Sequence, residues 1–469
     1  MNTKNKFYFL TIIGITLFAC NVTKPYQRPV LNLPPHYNEV AYSDTATIAN
    51  IPWADFFTDT TLKSLIKKGI QYNFDLQLAV KRIEIAGQQL LQAKNLELPT
   101  INGAINGQYN RPSENSLNGS FAGLTGSKHY EDYSIGLSLS WEADIWGRLR
   151  SQKKEALLQY LQTYEAKKAV QTQLVTDIAN GYYNLLMLDE QLRIADSSLA
   201  LAENTLAQTQ LLKQAGESTS LSVEQTKAQM ETVALLVPQL QEKLTLQENA
   251  LSMLTGQFPE SIARYSRLSA IQIPQKLMIG IPAALLSHRP DVRSAEMDVE
   301  IANQQVGITQ ANMYPNLNIT ANGGLESLKT SNWFNIPGSL FGIVSGSLVQ
   351  PILNQRKLKT DYEVAKSQRA QAVIKFRLSV LGAVTDVSNA LVQLNKLGEQ
   401  EKIASAQAAT LSKATNNASL LYKSGMANYL EVITAQNNSL QAQLNLASTH
   451  CLQLIAAVNL YRSVGGGFQ

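Results

Sequence analysis

Cysteine is almost missing from this chain: Cys20 and Cys451 are the only two in 469 residues. Two thiols cannot build a disulfide framework, and Cys451, set among Leu446, Leu452 and Leu454, reads as a small buried hydrophobe. Charge of one sign is also lacking. Forty basic residues face 36 acidic ones with no basic stripe, which argues against a nucleic-acid partner. The four histidines (His36, His129, His288, His450) lie far apart, without metal-ligand spacing. No glycine-rich phosphate loop follows a strand and no nucleophile elbow is present, so the common enzyme signatures are absent. Long apolar runs are missing too. The longest, Phe7 to Ala19, falls well short of the roughly 20 residues a membrane helix needs. If this chain crosses a membrane, it does so with strands.

That one apolar run is informative. Lys4 and Lys6 precede it and Cys20 ends it, the layout of an export signal over residues 1–19. Leu17-Phe18-Ala19-Cys20 resembles a bacterial lipobox, in which Cys20 becomes the lipid-bearing first residue of an extended segment, 20–60. Phe18 is bulkier than the small residue usual there, and a cysteine that merely ends the apolar run is the alternative. Several acyl chains on one residue give stable anchoring. Asn21, rather than Asp, follows the cysteine, which permits transfer to an outer membrane.

What the chain has in abundance is helix, and it has it twice. Residues 146–215 and 352–424 are two long amphipathic stretches, each about 100 Å long at 1.5 Å per residue. Val-Thr-Asp-Ile-Ala-Asn at 175–180 returns as Val-Thr-Asp-Val-Ser-Asn at 384–389. Asp177 to Asp386 and Gly216 to Gly425 both span 209 residues. The repeat predicts a first half, 61–286, with helices over 73–98, 146–215 and 218–254 and a segment 255–286 beside them. The second half, 287–469, repeats this with helices over 289–314, 352–424 and 428–462. Gly216 and Gly425 read as helix-ending glycines at two turns that sit together. Pro238 is expected to kink or break its helix.

Ala169, Val170, Leu174, Val175, Ile178, Ala179, Tyr182, Leu185 and Leu186 form a double apolar stripe, wide enough for two neighbouring helices. Across from it run Asp177 and Asn180, echoed by Asp386 and Asn389. This polar stripe lines a water-filled lumen or forms an outer solvated face; the pattern fits both.

Between the helices the period changes to two. Ile101, Ile105 and Tyr109 alternate with polar residues, as do Tyr133, Ile135, Leu137, Leu139 and Trp141, and Leu317, Ile319 and Ala321. Strands are expected at about 100–110, 133–142, 316–326 and 340–350, the last alternating poorly (Phe341, Ile343, Val344). Ten residues of apolar-out, polar-in is the pattern of a transmembrane β-barrel strand. Four strands cannot close a barrel and would leave two open edges in lipid, so closure needs further copies; three give twelve strands. Tyr109, Tyr133, Trp141, Trp333 and Phe334 near the strand ends suit interfacial girdles.

These motifs resemble a family, the TolC-type outer-membrane efflux factors, and within it the lipoprotein subgroup. The matching residues are Cys20-x4-Pro25-Tyr26-x2-Pro29, Glu248-Asn249-Ala250-Leu251 with Leu254-Thr255-Gly256, and Arg289-Pro290-Asp291-Val292 leading to Ala295-Glu296. Gly425 through Asn428-Tyr429-Leu430, and the closing Asn459-Leu460-Tyr461 with Gly465-Gly466-Gly467, complete them. The resemblance implies a mainly α channel-tunnel with a membrane β part: a homotrimer with a 12-stranded barrel in the outer membrane and a 12-helix α-barrel in the periplasm. It implies a covalent lipid on Cys20 and no other cofactor. The partners it implies are a periplasmic membrane-fusion adaptor meeting the Gly216 and Gly425 turns and an inner-membrane RND-type transporter. No catalysis is expected. The family's closing constriction maps to Leu430, Glu431 and Thr434; acids common in the family are replaced here by Thr434 and Ala427, leaving Glu431. Three Glu431 carboxylates would select cations, unless Glu431 is simply a solvated helix residue. A protein-secretion duct is the alternative within this fold, and a structural coiled-coil lipoprotein the alternative outside it.

Overall fold

The structure, a computed structural model, describes residues 22–31, 33–34, 47–113, 115–118, 120, 129–272 and 280–469. The export signal 1–19 and Cys20 lie outside the described residues. Among the described residues, seven helices longer than ten residues carry the fold: α1 Thr60–Tyr72, α2 Phe74–Lys94, α3 Arg148–Gln214, α4 Ser220–Leu254, α5 Pro290–Ala311, α6 Lys357–Lys423 and α7 Tyr429–Ser463. Four strands, β1 Thr100–Asn110, β2 Tyr130–Ala143, β3 Asn316–Ser327 and β4 Leu340–Val349, form one antiparallel sheet in sequence order. The chain divides into two compact units. One holds residues 84–161 and 296–375 with the N-terminal strap up to Pro29; the other holds 30–83, 162–295 and 376–469.

In the sheet unit, register settles which residues share a face, because residues directly opposite point the same way. Ile101 lies opposite Leu139, Ile105 opposite Ile135, Trp141 opposite Ile319, Leu139 opposite Ala321, and Ala321 opposite Val344. One face is therefore apolar across all four strands. The other carries Asn102, Asn106, Ser134, Ser138, Asn318, Thr320 and Asn322. The fourth strand corrects the sequence reading. Its apolar residues are Leu340, Val344 and Leu348, with Gly342 and Gly346 between them, while Phe341 and Ile343 fall on the polar face. Glycines in the apolar series hid the alternation. β1 pairs only with β2 and β4 only with β3, so both outer strands keep an open edge among the described residues. Ile101, Ile105, Leu137, Val344 and Leu348 are each more than 55% exposed, far more apolar surface than one sheet leaves bare in water. Among the described residues no helix is long and apolar enough to cross a membrane.

The helical unit has the core. Leu174, Val175, Ile178, Ala179, Tyr182, Leu185 and Leu186 of the predicted double stripe are all buried. α1 lies against this stripe so closely that a Cβ on Gly69 would meet Ile178. Phe56 stacks on Tyr461 with ring centroids 4.0 Å apart, and the Tyr461 hydroxyl donates to the Ile51 carbonyl at 2.5 Å. Asp59 caps α1 through the Leu62 N–H (2.8 Å) and also accepts from the Tyr182 hydroxyl (3.1 Å). Gly181, which reads as a weak point of the long helix, is a site of close approach: the Gln247 amide donates to its carbonyl (3.1 Å), and a Cβ would collide with Leu251.

Pro238 does not break its helix; α4 runs through it. The missing N–H leaves only the Ala234 carbonyl without its helical donor. Pro238 itself is exposed, while buried Val233 and Leu240 pin the helix on the opposite side.

Candidate turns, capping sites and the buried arginine

The two turns have one backbone. At the first, Gly216 has φ +79, the Glu217 N–H reaches the Leu212 carbonyl (2.9 Å) and the Gly216 N–H reaches Lys213 (3.0 Å). At the second, Gly425 has φ +72, Met426 bonds Leu421 (2.9 Å) and Gly425 bonds Tyr422 (3.1 Å). Both are Schellman motifs, which place a residue in the left-handed region that glycine enters without strain. Each turn then starts its new helix with a capping box. Thr219 Oγ1 accepts from the Ser222 N–H (3.2 Å); Asn428 Oδ1 accepts from the Glu431 N–H (3.0 Å) while Glu431 Oε2 accepts from the Asn428 N–H (3.2 Å). Sequence reasoning missed these boxes, though Asn428-x-x-Glu431 is a capping signature legible in the chain.

Side chains join the two turns. The Thr209 and Tyr422 hydroxyls lie 2.9 Å apart in a buried site. Gln436 donates to Thr205 (2.8 Å), Asn437 exchanges hydrogen bonds with Gln229, and Tyr429 donates to Gln225. Of the gate candidates, Leu430 is 55% exposed and Glu431 and Thr434 are exposed; Ser222, which holds the position of Glu431 in the first half, is buried.

The polar stripe meets the end of α7. Gln173 donates to Asp177 (2.7 Å) and accepts from Arg462 (2.6 Å). Burial pushes the Asp177 carboxyl above its ordinary range, against the pull of Gln173 and Arg462. Arg289 holds Asp291 with two hydrogen bonds (3.0 and 2.7 Å), Asp386 with one (3.0 Å) and the Ser463 carbonyl with a fourth (3.2 Å). Burial would raise the Asp291 carboxyl, but the Arg289 hydrogen bonds and charge outweigh it and hold it below the usual carboxylate range. Asp177 and Asp386, equivalent in the repeat, are thus linked to adjacent residues, Arg462 and Ser463, through Gln173 and Arg289 respectively. Asn180 Oδ1 is buried with no partner among the described residues, and Asn389 is exposed.

The remaining motif residues have equally concrete work. Glu248 accepts from the Ser261 hydroxyl (3.2 Å), the Ile262 N–H (3.1 Å) and Arg264, which also pairs with Asp189 at 2.6 Å. This fastens the segment after α4 back onto α3 and α4. Pro290 opens α5, where its absent N–H costs nothing.

A family model described as outer membrane efflux protein matches residues 65–257 and 281–466, most of the chain. The chain belongs to that family. Among its relatives, the cation efflux system protein CusC of Escherichia coli O6:H1 is 26% identical over 461 residues, covering 97% of this chain and 98% of CusC. The solvent efflux pump outer membrane protein SrpC of Pseudomonas putida is 28% identical over 473 residues, with 99% of each covered. A crystal structure of CusC, studied for the conformational changes accompanying folding and transmembrane channel formation, matches with a TM-score of 0.86 at 25% identity. That match covers 96% of this chain and 100% of the other. This chain is therefore an outer-membrane efflux channel, and its amphipathic sheet is the part suited to lipid.

Proposed function

We propose that three copies of this efflux channel close the open-edged sheets into a 12-stranded barrel, with Cys20 carrying the lipid anchor. The observation that carries this reading is the sheet itself: four strands with one mainly apolar face, one mainly polar face and, among the described residues, both edges open. In lipid an open edge leaves backbone groups unsatisfied at several kcal/mol each, and closure by identical copies removes both edges at once. The polar face then lines a water-filled pore. The helices extend the duct in the periplasm, where the Gly216 and Gly425 turns meet an adaptor and, through it, an RND-type inner-membrane pump. The channel is passive, and cargo passes by whatever route the pump supplies. CusC and SrpC are named for cations and for solvents, so the fold itself does not choose the cargo.

In this reading Glu431, beside Leu430 and Thr434, supplies the charge of the periplasmic constriction. Planar-bilayer conductance of the purified lipidated trimer tests it, comparing wild type with Glu431→Gln. The expected result is a small cation-selective conductance whose selectivity falls in the variant. Unchanged selectivity moves the constriction elsewhere, and a folded trimer without conductance removes the duct reading.

A further inference from the structure

The N-terminal strap is fastened along the sheet unit. The Val22 N–H donates to Trp146 O (3.3 Å), the Thr23 and Ser151 hydroxyls are 2.7 Å apart, and Asn303 donates to the Lys24 carbonyl (2.9 Å). Arg28 grips Glu296 with two bonds (2.5 and 2.8 Å) and Tyr26 adds a third (3.1 Å). The strap lies so close over α5 that a Cβ on Gly307 would collide with Thr23.

Between strap, α5 and α6 lies a groove of about 590 Å³. Three cations line it, Lys24, Lys366 and Arg369, and none of its lining residues is acidic. Lys366 shares its charge with Glu363 just outside (2.9 Å), but among the described residues Arg369 donates only to the neutral Asn303 amide (3.2 Å). Lys24 has no ion pair among the described residues. The rest of the lining includes apolar Val306, Val373 and Ile374. All these residues belong to the unit that holds the sheet.

Position adds the second argument. β4 ends at Val349 and α6 begins at Lys357, so residues 362–374 occupy the stretch roughly 8–25 Å along the helix from its start. Lys24 is only four residues from Cys20, a reach of at most about 14 Å. The cations therefore gather where the chain leaves the membrane-suited sheet and where a lipid-bearing residue would dip into it.

We propose that this groove binds the phosphodiester headgroup of an anionic glycerophospholipid, its phosphate between Lys24, Lys366 and Arg369 and its first acyl carbons toward Tyr362 and Val306, the lining residues nearer the sheet. The proposal rests on the outer-membrane placement and partly on acylation of Cys20. Free phosphate shares the charge but gains nothing from the apolar floor.

The test uses the full-length, lipidated protein in neutral detergent and titrates short-chain phosphatidylglycerol, phosphatidylcholine and inorganic phosphate, reading retained ligand by native mass spectrometry. Wild type is expected to hold phosphatidylglycerol at least tenfold more tightly than phosphatidylcholine. Each Lys24→Gln, Lys366→Gln or Arg369→Gln exchange should weaken it about fivefold, the effect of one interfacial cation. Arg369→Gln alone, at an exposed helix position, keeps the test valid if the triple variant fails to assemble. A Cys20→Ser protein separates the two readings: retained binding upholds the groove whatever becomes of the anchor. Equal binding by wild type and Arg369→Gln, or inorganic phosphate binding as tightly as the lipid, overturns the proposal.

Discussion

The last helix of each half ends on the same backbone and on different chemistry. Leu254 and Ser463 are 209 residues apart, and so are Gly256 and Gly465 behind them, both with positive φ. In the first half the Leu254 carbonyl accepts from the neutral amide of Asn73 (3.0 Å); in the second the Ser463 carbonyl accepts from Arg289. The turns divide in the same manner, Thr219 with Ser222 in one and Asn428 with Glu431 in the other. Duplication has preserved the glycines and caps because the backbone cannot turn without them. The donor or acceptor that completes each site was free to change. The result is a neutral donor and a neutral cap in the first half where the equivalent sites of the second half carry charge.

Removing Arg289 should break the comparison most severely. Arg289→Ala strands two carboxylates and a helix-terminal carbonyl, and the guanidinium is only 13% exposed. Because both aspartates are half exposed, the expected cost is about 3 kcal/mol, at the low end for a broken buried pair. Asn73→Ala removes the cap of α2 and the donor to Leu254 for about 1.5 kcal/mol. The midpoint of thermal loss of helical circular dichroism in detergent ranks them, and equal losses would mean that the charge adds nothing. The glycines come next. A Cβ on Gly256 would fall 2.3 Å from the Tyr72 carbonyl, whereas around Gly216 and Gly425 nothing lies within 4 Å. Gly256→Ala should cost about 2 kcal/mol or more, and Gly216→Ala and Gly425→Ala about 1 kcal/mol each, the left-handed strain alone.

The two aspartates sharpen the comparison through pH. Asp291 is held below the usual carboxylate range, so its stabilisation is present above its unfolded value near 3.9 and is lost as pH falls through the lower folded value. Asp177 is raised, so its contribution is present below about 3.9 and is lost as pH climbs through the folded value. Asp177→Asn is therefore expected to stabilise the protein at pH 7 relative to pH 3.5, and Asp291→Asn to destabilise it at pH 7. Thermal scans at the two pH values check both signs.

Periodicity made the long helices and three of the strands legible, since the signal there is many residues deep. β4 was harder because Gly342 and Gly346 stand where apolar residues would mark the face. Pro238 misled because a local rule gave way to packing on both sides of it. The Arg289 partners were out of reach for a different reason: Asp386 and Ser463 lie 97 and 174 residues away, and no local pattern connects them. Asn428-x-x-Glu431 was readable, but as a gate motif it drew attention from its simpler role.

Glu431 therefore has a capping role and a proposed gate role to separate, and the smallest expected effect does so. Its carboxylate accepts the Asn428 N–H, a bond that a neutral amide also makes. Glu431→Gln should leave the thermal midpoint nearly unchanged, losing only the few tenths of a kcal/mol that a negative charge gains at a helix N-terminus. Glu431→Ala should lose the bond as well, about 0.5–1 kcal/mol. The buried counterpart in the first half offers a control, since Ser222→Ala removes one side of that capping box without touching charge. If cation selectivity falls equally in Glu431→Gln and Glu431→Ala while stability falls only in the second, charge and cap are separate functions of one side chain. If selectivity follows stability instead, Glu431 shapes the constriction by holding the turn, and the second half differs from the first in structure alone.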